Sequence, residues 1–269
     1  MPENLNKNAI TLYQRNICKK LPDAYDNEYK AILNKLQESA DFIFPEYFSF
    51  HSDFKSKDKF IEDSKMTLDW LKNLSKRAEA QKTLIFGGTF LMQREKTEKP
   101  FNTLPVFYEG EILTTYQKRR LYGIETEYLS TGKVRQTVIH PHDGSKWGLL
   151  ICADVFLENA FSDYKDCDFI VIPTSSPYRP DDTKELQKER DHEIYAKGSK
   201  IGGAFVLKCC GTGEIGSIKE NGEKAPKLQG RSLIAHENKI LIQAPDINWS
   251  GFLQIDKTNG KVSCEEYEN

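Results

Sequence analysis

Short, uninterrupted runs of large apolar residues recur along this chain: Phe42-Ile43-Phe44, Thr83-Leu84-Ile85-Phe86, Leu149-Leu150-Ile151 and Phe169-Ile170-Val171-Ile172. Each is too short for a core helix, and a strand that is apolar on both sides must be covered on both sides. Amphipathic helices that could do the covering precede the first two runs. Tyr29, Ile32, Leu33 and Leu36 predict a helix over 26–39, and Ile61, Leu68, Leu71, Leu74 and Ala78 predict another. A hairpin is read at 105–108 and 112–116, around Glu109-Gly110-Glu111. Further strands are read at 135–140, 147–151, 168–172, 204–208, 231–235, 238–243 and 252–256, with a helix at 184–199. Strands thus outnumber helices, and the pattern predicts an α/β chain of two stacked sheets with helices outside.

No linker or low-complexity tract interrupts residues 1–269, which read as one domain. Hydrophobic residues at 38% and charged residues at 29% exclude a disordered chain, and no apolar run is long enough to span a membrane. The first seven residues lack the basic and apolar stretches of a secretory signal, so no export is expected. Six cysteines without a CxxC pair suggest reduced thiols and a cytoplasmic setting. Adjacent Cys209 and Cys210 cannot bridge each other without strain, and the pair has no assigned role. The net charge of −2 arises from interleaved lysine and glutamate, with no basic stripe for a nucleic acid.

Three segments place a reactive side chain where a strand ends: Phe44-Pro45-Glu46, Tyr116-Gln117-Lys118 and Leu150-Ile151-Cys152. Strand ends meet at one rim of an α/β sheet, so a carboxylate, an ammonium and a thiol can converge there. A thiol needs a base to become a nucleophile at neutral pH, and Glu46 can serve if burial raises its pKa. Lys118 can then steady the thiolate and, with the backbone N–H of Ala153, hold the oxyanion of a tetrahedral intermediate. That combination performs acyl transfer.

These segments, in this order, make the sequence resemble the nitrilase superfamily of carbon–nitrogen hydrolases from about residue 10 to residue 256. Phe44-Pro45-Glu46 is similar to the general-base segment. Asn102-Thr103, Tyr108-Glu109-Gly110-Glu111-Ile112-Leu113 and Tyr116-Gln117-Lys118-Arg119-Arg120-Leu121 are similar to the lysine block. Gly148-Leu149-Leu150-Ile151-Cys152-Ala153-Asp154, Glu158 and Asp168-Phe169-Ile170-Val171-Ile172-Pro173-Thr174 resemble the nucleophile strand and its successor, and Gln229-Gly230-Arg231-Ser232 resembles the final block. The resemblance implies a four-layer αββα sandwich, two mixed sheets face to face with helices outside, that assembles into homodimers or larger homo-oligomers. It implies a Glu46–Lys118–Cys152 triad and a second glutamate that orients substrate or lysine. Glu125, seven residues before Gly132, fits that place better than Glu127. Three positions depart from the family pattern: Arg120 stands for a histidine, Ala153 for an aromatic and Phe156 for an arginine. Without Trp-Glu after Cys152, the resemblance favours amide or N-carbamoyl cleavage over nitrile hydrolysis.

Taken singly, each residue has a plainer reading: Cys152 a buried structural thiol, Lys118 part of a solvated charge run, Glu125 an exposed loop residue. His140-Pro141-His142 reads as a strand end rather than a metal site, and His192 as a helix-surface residue. Gly211-Thr212-Gly213 with Gly216 lacks the Lys-Ser or Lys-Thr of a phosphate loop and reads as a turn after the 204–208 strand. The expectation is therefore a hydrolase of small amides or carbamoyl compounds that needs no cofactor or metal. A non-catalytic binding or assembly module, or an acyltransferase using the same thioester, is the alternative.

Overall fold

A computed structural model of the chain describes residues 8–48, 57–93, 99–123, 125–214, 227–245 and 248–267. At its centre lies strand Ala9–Asn16, which pairs in parallel with Ser39–Ile43 on one side and antiparallel with Gly251–Asp256 on the other. Ser39–Ile43 continues to Leu84–Phe86, and that strand to the hairpin of Phe101–Tyr108 and Glu111–Gln117. In a second sheet Phe205–Glu214 lies between Phe169–Thr174, in parallel, and Leu233–His236, antiparallel. Lys146–Leu149 and Thr137–Ile139 extend one flank, and Lys239–Gln243 the other. Among the described residues, the two sheets join where Arg15 and Asn16 pair with Gly211 and Thr212.

Alternation along the strands builds the layers. Ile10, Leu12, Phe86 and Val106 of the first sheet meet Trp147, Leu149, Val171 and Leu207 of the second in a shared core. The residues between them face outward. Tyr13, Phe42, Ile85 and Phe107 are covered by Ile32 and Leu36 of helix Asn27–Glu38 and by Leu71 and Leu74 of helix Lys57–Arg77. Ile170, Ile172 and Val206 are covered by Tyr195 and Ala196. The covering helix runs from Lys184 to Gly202 with a π-helical segment at His192–Ala196. This is the expected sandwich: helix, sheet, sheet, helix.

Two departures from the sequence reading bear on how the sheets meet. The central strand Ala9–Asn16 was not expected, because Thr11, Gln14 and Arg15 interrupt its apolar pattern. All three are buried and bonded to distant segments: Thr11 to Ser39, Gln14 to Pro245, Trp249 and Ser232, and Arg15 to Glu28. Gly211, Thr212 and Gly213 are not a turn but the continuation of Phe205–Glu214. Gly211 and Gly213 lie against Ile17 and Asn16, where a side chain would push the two sheets apart, so bareness here serves close approach. Gly216 lies outside the described residues.

Candidate active site

Glu46, Lys118 and Cys152 each leave a strand at the same rim. Pro45 and Glu46 follow Ser39–Ile43, and their path is held open by Gly88. This glycine has φ +64°, and a Cβ there would stand 2.3 Å from the Pro45 carbonyl oxygen. Lys118 follows Glu111–Gln117, and its backbone is clamped twice: its N–H donates to the Asn102 carbonyl (2.9 Å) and its carbonyl accepts from Gly132 N–H (2.8 Å). A Cβ on Gly132 would lie 2.2 Å from the Gln117 carbonyl oxygen. Gly132→Ala is therefore expected to cost about 1–3 kcal/mol, read by thermal unfolding, and to lower turnover by moving Lys118. Unchanged stability would show that the clamp is not needed.

Cys152 begins a 3₁₀ turn, Cys152–Phe156, with a left-handed φ of +43°. A non-glycine residue held there is strained, and such strain persists where the surroundings fix it. Asp154 does the fixing. Its buried carboxylate accepts from Ile151 N–H (3.0 Å) and from the Tyr116 hydroxyl (2.6 Å). It also accepts from the N–H groups of Arg119 (2.9 Å) and Arg120 (2.6 Å). One carboxylate thus ties the lysine segment to the cysteine turn.

At the centre the Lys118 ammonium donates to Glu46 Oε1 at 2.8 Å and to Glu125 at 2.9 Å. Asn102 Nδ2 donates to the same two carboxylates, at 3.0 and 3.1 Å. Ser175 N–H donates to Glu46 Oε2 (2.7 Å), the Tyr47 hydroxyl donates to Glu125, and Tyr122 N–H holds the other Glu125 oxygen at 2.9 Å. Glu46 and Lys118 are 1% and 2% exposed, so these charges interact with little screening from water. The Cys152 thiol stands beside Glu46 and the Ser175 backbone and feels the charges of Glu46 and Lys118.

Burial pushes the Glu46 carboxyl above the ordinary carboxylate range, against the pull of Lys118 and with the help of the Glu125 charge. Burial and the Glu46 charge push the Cys152 thiol up, so it rests protonated. For Lys118 burial works against the ammonium, but the neighbouring carboxylates outweigh it and hold the charge. The result is a thiol held in its neutral form beside a carboxylate whose proton affinity is raised.

All four side chains and Ala153 line one cavity of about 350 Å³. Glu127 is exposed and is not among the residues that line this cavity. Asn102 and Asp154 stood in quoted segments without a role, and Ser175 and Tyr47 were not singled out. The available signal was a polar residue inside or beside an apolar strand, which must be paired when buried. The departures Arg120 and Phe156 meet each other: Arg120 Nη1 donates to the Phe156 carbonyl (2.6 Å) and its guanidinium lies over the Phe156 ring. His140 is engaged by Asp41 (3.2 Å), and His192 is half exposed beside Glu193 and is not among the residues that line the cavity.

No protein-family model and no curated protein matches the chain. Solved structures do. A carbon–nitrogen hydrolase from Helicobacter pylori G27 superposes with a TM-score of 0.74 at 16% identity, covering 92% of this chain and 89% of that one. Nit3 of Saccharomyces cerevisiae, a member of branch 10 of the nitrilase superfamily, superposes at 0.68 and 19% identity, covering 93% and 90%. An amidase from Nesterenkonia sp. gives 0.72 and 17%, covering 94% and 91%. Across nearly its whole length, this chain has the fold of the carbon–nitrogen hydrolases of the nitrilase superfamily.

Proposed function

We propose that the chain hydrolyses a non-peptide C–N bond, amide or N-carbamoyl, of a small molecule through a thioester on Cys152. The observation that carries this reading is the lysine held between buried Glu46 and partly buried Glu125 in the cavity that the Cys152 thiol also lines. As Cys152 Sγ attacks the substrate carbonyl carbon, its proton passes to Glu46, and the carbonyl oxygen becomes an oxyanion facing Lys118 Nζ and Ala153 N–H. Collapse of the intermediate breaks the C–N bond, and Glu46 returns the proton to the departing nitrogen. Water, deprotonated by Glu46, then attacks the thioester, the C–S bond breaks and the acid leaves with the thiol restored. Lys118 keeps its charge throughout. Glu125 and Asn102 orient it and touch no reacting atom.

Ammonia release across ω-amides, N-carbamoyl amino acids and aliphatic amides tests the activity, and hydroxylamine tests the intermediate. Alkylation of thiols is a poor probe because Cys264 is exposed. A thioester on Cys152 is expected to partition to hydroxylamine, giving a hydroxamate and an acyl adduct on the Cys152 peptide by mass spectrometry. Ammonia release without either product would sink the covalent route.

A further inference from the structure

The strand face that meets the covering helix reads Val206, Lys208, Cys210, and a lysine in the middle of such a row needs a reason. Lys208 is fully buried, yet it lines the same cavity as Cys152. Its ammonium lies 3.2 Å from Asp191 Oδ1 and 4.8 Å from the centre of the Tyr195 ring. Asp191 is shared, since its other oxygen accepts from Arg231 Nη2 (2.6 Å), Arg231 Nε (3.1 Å) and Gln243 (2.7 Å). The nearby Arg190 is already neutralised by Asp182, at 2.7 and 2.9 Å. Two buried cations therefore share one carboxylate, leaving an excess positive charge in a water-poor place. Such a charge is costly without an anion. Asp191 and Tyr195, four residues apart on the covering helix, both line the cavity. Tyr195 is within electrostatic reach of both Lys208 and Cys152.

We propose that Lys208 binds a carboxylate of the substrate, so that the amide opened at Cys152 belongs to a small molecule that carries a negative charge. This rests on the reading of Cys152 as nucleophile. The carboxylate balances the excess charge on the Lys208–Asp191–Arg231 cluster, and Lys208 is a specificity-determining residue rather than a catalytic one. A neutral amide of the same shape leaves the ammonium without its anion and binds less well.

The test uses matched pairs: malonamate, succinamate and glutaramate, each against its diamide, which has the same shape without the charge. Wild-type kcat/KM for the best half-amide is expected to exceed that of its diamide by about tenfold or more, through KM. Lys208→Met should bring the ratio toward one, and Lys208→Arg should restore part of it. Because Lys208→Met can fail to fold, calorimetric binding of the same pairs to Cys152→Ala provides a second readout. Equal binding of half-amides and diamides overturns the proposal, whether or not the chain is a hydrolase. Selective binding of half-amides with no turnover by the wild type keeps the Lys208 site and overturns the catalytic reading. Binding of neither overturns the proposal.

Discussion

Replacing Cys152 with alanine or with glycine is expected to abolish turnover in both cases and to separate the two variants in stability. Removal of a catalytic nucleophile typically lowers kcat on the order of 10⁶-fold, because oriented binding and oxyanion donors alone recover little of the rate. The fold should survive. Cys152 packs at the margin of the inter-sheet core and contributes one sulfur atom there, while the turn itself is held by Asp154. The backbone makes the difference between the variants. At φ +43° alanine keeps the strain that cysteine bears, whereas glycine relieves it. Cys152→Gly should therefore be the more stable of the two by about 1 kcal/mol, or roughly 2–4 °C in Tm for a chain of this size. That ordering means that the wild type gives up stability to present the thiol. Turnover by either variant above about one per cent of wild type would reject Cys152 as the nucleophile. Equal stabilities would show that the turn is not strained.

The αββα layering and the meeting of three strand ends were legible because both follow from strong local signals: apolar runs at strand length, and a reactive residue at the end of each. The central strand was not legible. Its polar residues Thr11, Gln14 and Arg15 are satisfied by groups as distant in sequence as Ser232 and Pro245, so the local pattern contradicts the burial that the folded chain allows. The site divided the same way. The candidate catalytic side chains stood out by type, whereas Asn102, Ser175 and Asp154 take their places through where they point. Ser175 contributes a backbone N–H to Glu46, and nothing in its side chain announces that. Lys208 is the converse: a charge inside an apolar strand is visible in the sequence as Leu207-Lys208-Cys209, but its significance depends on the cavity and on the sharing of Asp191.

The charge balance around Lys118 makes the second large effect. Lys118→Met should lose at least about 10²-fold in turnover with the loss of an oxyanion donor. It should also destabilise the chain by about 3–5 kcal/mol near neutral pH, because Glu46 and Glu125 then face each other with no cation between them. The pH dependence identifies the cause. The Glu46 carboxyl is already raised by burial and by the Glu125 charge, and Lys118 is what pulls it back. Without Lys118 its folded pKa rises further above the unfolded value of roughly 4.3, so the folded state keeps a proton that the unfolded state releases. Stability from that proton is complete below the unfolded pKa and is lost as pH rises through the folded pKa. Thermal melts of Lys118→Met should accordingly show highest stability in mild acid and a fall toward neutrality steeper than in the wild type. Lys118→Met combined with Glu125→Gln removes one of the two opposed charges. It should recover much of the neutral-pH stability without recovering turnover, since the oxyanion donor is still missing. A pH-independent loss in the single variant would mean that lost packing, not the buried carboxylates, sets the cost. A double variant that regained activity would remove Lys118 from the chemistry.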